Sequence, residues 1–203
     1  MTRLAVVFFV IFGFARQGLA QSGDSKPTLS KDRLTAEQVA VYRTFLRFYA
    51  KESDRVLYVA DTTNWLDISG VVKGDADCLR SFGPLEFEDS KGNGSTIHRL
   101  DSSLAIAGHI ALVDSTSQSE KIRQNDPSKT MREGKPVDHA VSDAFASALL
   151  TLSEIAFDKN HHKAVMSFSF SCGKLCGNTA IVMLKQVGRN WKVTGQTCGE
   201  GVS

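Results

Sequence analysis

The sequence predicts an α+β fold, with two main helices packed on an antiparallel sheet that ends in a four-stranded C-terminal meander. Three observations carry this. Between Leu150 and Cys198, four runs of strand length, rich in β-branched and aromatic residues, are cut by short turn clusters. Two segments upstream repeat their apolar residues at helical spacing. After an N-terminal targeting segment is set aside, roughly 180 residues of ordinary globular composition remain, enough for one core.

Residues 1–20 read as a signal peptide. Arg3 opens it, Leu4 to Phe14 is apolar but too short for a stable membrane anchor, and Gly18-Leu19-Ala20 supplies the small residues a signal peptidase needs. The mature chain is expected to begin at Gln21. Of the 24 Lys and Arg, Arg3 and Arg16 lie in this segment, whereas all 22 Asp and Glu lie beyond it, so the mature chain is formally neutral. Neither a nucleic-acid partner nor a membrane partner beyond the signal peptide is expected. Residues 21–33 are polar and without apolar period, a flexible leader, and residues 34–203 read as a single domain.

The first helix is announced by Thr35 with Gln38, a capping box. Val41, Tyr42, Phe45, Leu46, Phe48 and Tyr49 form its apolar stripe. Val56 to Val59 is a short strand, followed by a turn at Asp61 to Asn64 and an apolar patch at Trp65, Leu66 and Ile68. Gly74 to Cys78 contains Asp-x-Asp but lacks the later Gly and distal Glu of a calcium loop. Leu85 to Phe87 and Thr96 to Leu100 are expected to pair around Asn93-Gly94 as a hairpin. Leu104 to Val113 reads as a buried strand. Ser115 to Pro136 is polar, with Ile122 and Met131 its only large apolar residues, and is expected to be a solvated loop with a short helical turn, or a lid. The second helix starts from Asp138 as N-cap and is expected to bury Val141, Ala144, Phe145, Ala148 and Leu149.

In the meander, Leu150 and Leu152 share one parity and Ile155 and Phe157 the other, which requires an extra residue near Ser153-Glu154. Ala164, Met166, Phe168 and Phe170 alternate with Val165 and three serines, so the even positions face a core. Ile181 to Leu184 is apolar at both parities, as in a strand covered on both sides, and Trp191 and Val193 point inward from the last strand. The combination of Ser153 to Asp158, Ala164, Cys172-Gly173-x-Leu175-Cys176-Gly177 and Trp191-Lys192-Val193 resembles a group of exported bacterial proteins of uncharacterised function. The resemblance covers about the last quarter of the chain and implies no site residues.

No catalytic residues are expected, because neither a Gly-x-Ser-x-Gly elbow nor a cysteine with a nucleophile signature is present. No cofactor is expected. His161-His162, beside Asp158, is the nearest approach to a metal site, but the i, i+4 helical pairing of zinc hydrolases is missing, and no metal ligands are assigned. Four cysteines in an exported chain favour disulfides. Cys172 is expected to pair with Cys176 across a three-residue turn, where facing residues stand close enough to bridge, and Cys78 with Cys198. The rival is a free Cys78 with Cys198 bonded to a turn cysteine.

Three functional readings follow, all of a periplasmic or extracellular protein. The first is a non-enzymatic domain binding a small molecule or an envelope protein. The second is a cone like the nuclear-transport-factor-2-like fold, with a pocket between the first helix and the meander for a small molecule or for hydrolase or isomerase chemistry. The third is a metal-dependent enzyme using His161 or His162.

Overall fold

The computed structural model of the chain describes residues 27–51, 55–66, 96–104 and 109–202. The expected signal peptide, Cys78, the Asp-x-Asp stretch and Leu85 to Phe87 lie outside the described residues.

Thr35 opens α1 (Ala36–Ala50) through the expected capping box: its hydroxyl accepts from Gln38 N at 3.1 Å, and the Gln38 side chain accepts from Thr35 N at 2.8 Å. Val41, Tyr42, Phe45 and Leu46 are buried, whereas Phe48, assigned to the same stripe, is 56 % exposed. Its position turns it off the sheet-facing side. The strands that receive α1 are β2 (Leu57–Ala60), β4 (Ile110–Val113), β5 (Leu149–Leu152), β6 (Ala156–Phe157), β7 (Lys163–Gly173), β8 (Cys176–Val187) and β9 (Asn190–Val202). They form one sheet in the order β4-β2-β5-β7-β8-β9, with β6 alongside β7.

The meander β5-β7-β8-β9 is antiparallel, as expected. The other side of β5 is not: β2 runs parallel to both β4 and β5, so the sheet as a whole is mixed. Separately, β1 (Thr28–Leu29) pairs in parallel with β3 (Thr96–Ile97), so Thr96-Ile97 has a partner from the stretch expected as a leader. Of the run from Leu104 to Val113, expected as a strand, Leu104 ends a 3-10 turn (Ser102–Leu104) and Ile110–Val113 is β4, while residues 105–108 lie outside the described residues.

Parallel β4 and β5 flank β2, and parallel strands cannot be joined by a tight turn. The chain between them must cross over. That crossover is the polar stretch expected as a solvated loop or lid, and it is helical: α2 (Ser115–Gln124), α3 (Pro127–Arg132) and α4 (Val137–Ala146). Capping carboxylates organise it where apolar periodicity does not. Asp114 accepts from Ser117 N at 2.7 Å, Asp126 accepts from Ser128 N at 2.9 Å, and Pro127 occupies the first turn of α3, where its missing N–H is no loss. Two side chains suffice to seat α2. Ile122 packs on Ala60 and Leu149, and the buried Gln118 amide donates to Ser147 O at 2.7 Å.

The second expected helix also differs in its face. α4 begins at Val137, with Pro136 rather than Asp138 in the capping position. It buries Ala140 and Ala144, leaving Val141 at 40 % and Phe145 at 46 % exposed. The small Ala144 side chain packs directly on Ala148 and Cys172.

Strand parity sorts the layers. Val59, Leu150, Leu152, Ala164, Met166, Phe168, Val182 and Leu184 share the core that contains α1, whereas Ala60 and Leu149 turn to the α2 side. Ile181 to Leu184 are all buried, as expected of a strand covered on both faces. The parity flip in the first meander run is resolved by an extra residue: Leu152 pairs with Phe168 and Ala156 with Val165, four steps on one strand against three on the other. Tyr42 fixes this bulge, its hydroxyl donating to Ser153 O at 2.8 Å.

Candidate functional site

The turn that joins β7 to β8 is tighter than three residues. Gly173 pairs with Cys176, leaving Lys174-Leu175 at the tip, and a register shift after Ser171 makes Cys172 the odd residue of a bulge. Cys172 and Cys176 are disulfide-bonded with their Cα atoms 5.1 Å apart. Gly173 has φ +151, and a Cβ there would lie 2.9 Å from Pro127 Cδ and 3.3 Å from Asp126 Oδ2, so the close approach of α3 requires glycine. Asp126 uses both carboxylate oxygens: Oδ1 caps α3, and Oδ2 accepts from Lys174 N at 2.8 Å. The Ser128 hydroxyl, then the Lys174 N–H, hold its carboxyl below the usual carboxylate range. The bridge and the helix cap therefore set this turn in one position.

The bridge forms one wall of a cavity of about 420 Å³. Tyr49 and Ala50 from the end of α1 and Leu57 from the start of β2 form a second wall. Phe145 of α4 and Phe170 of β7 close a third, with Gly177 and Asn178 at the β8 edge. The aromatic rings are in mutual contact: Phe170 lies 6.4 Å from Tyr49 and 6.0 Å from Phe145 between centroids. Burial pushes the Tyr49 hydroxyl up to about 12, so it is a neutral phenol and a hydrogen-bond donor. The size falls within the range of small-molecule sites, and the rings, with the Tyr49 hydroxyl and Asn178, give it the usual mixture of apolar wall and a few polar groups.

No known family, curated protein or solved structure matches the chain.

The remaining expected residues are dispersed. Cys198 in β9 is paired beside Ile181, is 1 % exposed and is disulfide-bonded; Cys78, its expected partner, lies outside the described residues. His161 sits at the tip before β7 with φ +54, its ring stacked on Phe157 at 4.9 Å and its Nδ1 2.6 Å from Glu37 Oε2. His162 N and Lys163 N both donate to Asp158 Oδ1 at 2.7 Å. These contacts fasten the turn to the start of α1. Among the described residues, no three metal-ligating side chains converge.

One polar cluster has no signal in the sequence beyond the bulge that places it. Glu154, on that bulge, accepts from His98 N at 2.8 Å and from the Thr63 hydroxyl, while its second oxygen lies 3.0 Å from His98 Nδ1. The His98 and Glu154 side chains are each 17 % exposed. A carboxylate on Nδ1 orients an imidazole as in general-base sites. Here its other bonds are structural: Thr63 N donates to His98 O at 2.9 Å, and Glu154 N to Asn64 O at 2.6 Å, so the cluster sews three chain segments together. It does not line the cavity.

Proposed function

We propose that the chain is an exported, non-enzymatic domain that binds a small molecule in the cavity between α1, α4 and the β7–β8 turn. The carrying observation is a concave aromatic wall held by a disulfide and by the Asp126 cap. A preformed wall spares a ligand the entropy of ordering it. A disulfide persists in oxidising compartments, which supports the export read from Leu4 to Phe14 and Gly18-Leu19-Ala20. No described helix is long and apolar enough to cross a membrane.

A hydrolase or isomerase in this cavity would need a titrating His or Asp on its wall, and its lining residues include neither. A partner protein is the second reading, favoured by α4: Val137, Val141 and Phe145, spaced four residues apart, are all exposed on one side of that helix.

Amide NMR of the oxidised mature protein against a library of charged and uncharged small molecules tests the proposal. Binders should shift the signals of Tyr49, Ala50, Gly177 and Asn178 together. A library in which no compound moves that set would overturn the small-molecule reading.

A further inference from the structure

The chemistry of the cavity wall narrows the ligand class, an inference that rests on the small-molecule reading above. We propose that the cavity selects an uncharged, largely apolar ring compound, seated among Tyr49, Phe145 and Phe170, with a single acceptor atom facing the Tyr49 hydroxyl.

The charge argument comes from what the wall contains. Apart from the phenol of Tyr49, no lining side chain is ionisable. A charged ligand entering such a site gives up water without gaining a counter-ion, a loss that sets strong discrimination. Of the cations within two residues of the lining in sequence, Arg55 Nη1 donates to Ser142 O at 3.3 Å, and Arg47, Lys51 and Lys174 have exposed side chains that do not line the cavity. The shape argument comes from the rings. Phe170 is half-buried between Tyr49 and Phe145, and Phe145 is 46 % exposed although it touches the aromatic cluster, so a ring has an open face to stack on. The polar argument comes from Tyr49. Among the described residues nothing accepts a hydrogen bond from its hydroxyl, and this half-buried phenol stays protonated, so its proton is available to an acceptor atom on a ligand.

Two fluorescent probes with the same ring system separate these contributions. N-phenyl-1-naphthylamine is uncharged, and 8-anilino-1-naphthalenesulfonate adds one sulfonate to it. With the mature protein in its oxidised form, the neutral probe should saturate at one per chain and bind at least tenfold more tightly than the sulfonate. Ala50→Phe, which fills the cavity from the last residue of α1, should weaken the neutral probe at least tenfold. Phe145→Ala, at a side chain exposed enough to be changed without unfolding the domain, should weaken it several-fold, and near-ultraviolet circular dichroism checks that both variants keep native packing. Equal affinity for the two probes would overturn the uncharged class while leaving the ligand-binding reading intact. Saturable binding that both variants leave unchanged would place the probe elsewhere and overturn the assignment to this cavity. If neither probe saturates while the library compounds still shift the cavity amides, the ring class alone is wrong; if those amides are also silent, the ligand-binding reading fails with it.

Discussion

Tyr42 does two things with one side chain. Its ring is fully buried in the core, and its hydroxyl donates to the carbonyl of Ser153 on the bulge between β5 and β6. Burial first, then the Glu154 charge, push its ionisation well above the ordinary value, so the donor is always present. Tyr42→Phe keeps the ring but leaves that carbonyl unpaired. A loss of about 1–3 kcal/mol in urea unfolding is expected, with an unchanged m-value; stability equal to wild type would mean that the bulge is not held by this bond. The side-chain parity of this region was legible from sequence, because Leu150, Leu152, Met166 and Phe168 obey a period of two, and the flip at Ser153-Glu154 can only be an inserted residue. The partnership of Glu154 with His98 was not. The two stand fifty-six positions apart, and no periodicity relates a bulge to a short distant strand.

At the scale of elements, the crossover shows why a local reading fails. Hydrophobic spacing finds helices that bury a stripe, but α2 needs only Ile122 and Gln118 to dock, and α3 buries Thr130 while Met131 stays 38 % exposed. The legible signals were Asp114 and Asp126, each placed just before a helix whose N–H groups it satisfies. Asp126 also ties α3 to the disulfide turn, which gives it a pH signature. Its folded-state pKa lies below that of the unfolded chain, near 3.9. The stabilisation is therefore fully present above about pH 4 and is lost as pH falls through the lower, folded value. Asp101, Asp114 and Asp143 are shifted the same way and steepen the same acid limb. Melting temperature should be flat from pH 7 to about 5 and fall below about 4, and Asp126→Asn, which can still cap a helix, should shallow that fall. An identical acid slope in the variant would show that the carboxylate does not couple α3 to the turn.

For the whole molecule, the central expectation concerns the route the chain takes after synthesis. If residues 1–20 direct export, the protein recovered outside the cytoplasm has the mass of a chain beginning at Gln21, with Cys172 and Cys176 oxidised; a product still carrying Leu4 to Phe14 would remove the basis for placing it there. Layered architecture bears on the same route. The first helix, α1, packs against the last strand, β9, whose Trp191 closes the core beside Phe157. A growing chain thus makes its N-terminal helix long before the surface that helix must cover exists, and such long-range pairings are the slow step of folding. Until β9 emerges, α1 presents Val41, Tyr42, Phe45 and Leu46 to solvent with nothing complete to dock on. The polypeptide leaving the ribosome is in consequence still threadable, the state a translocation channel for unfolded chains accepts, and, if residues 1–20 direct export, its native shape is deferred until the far side.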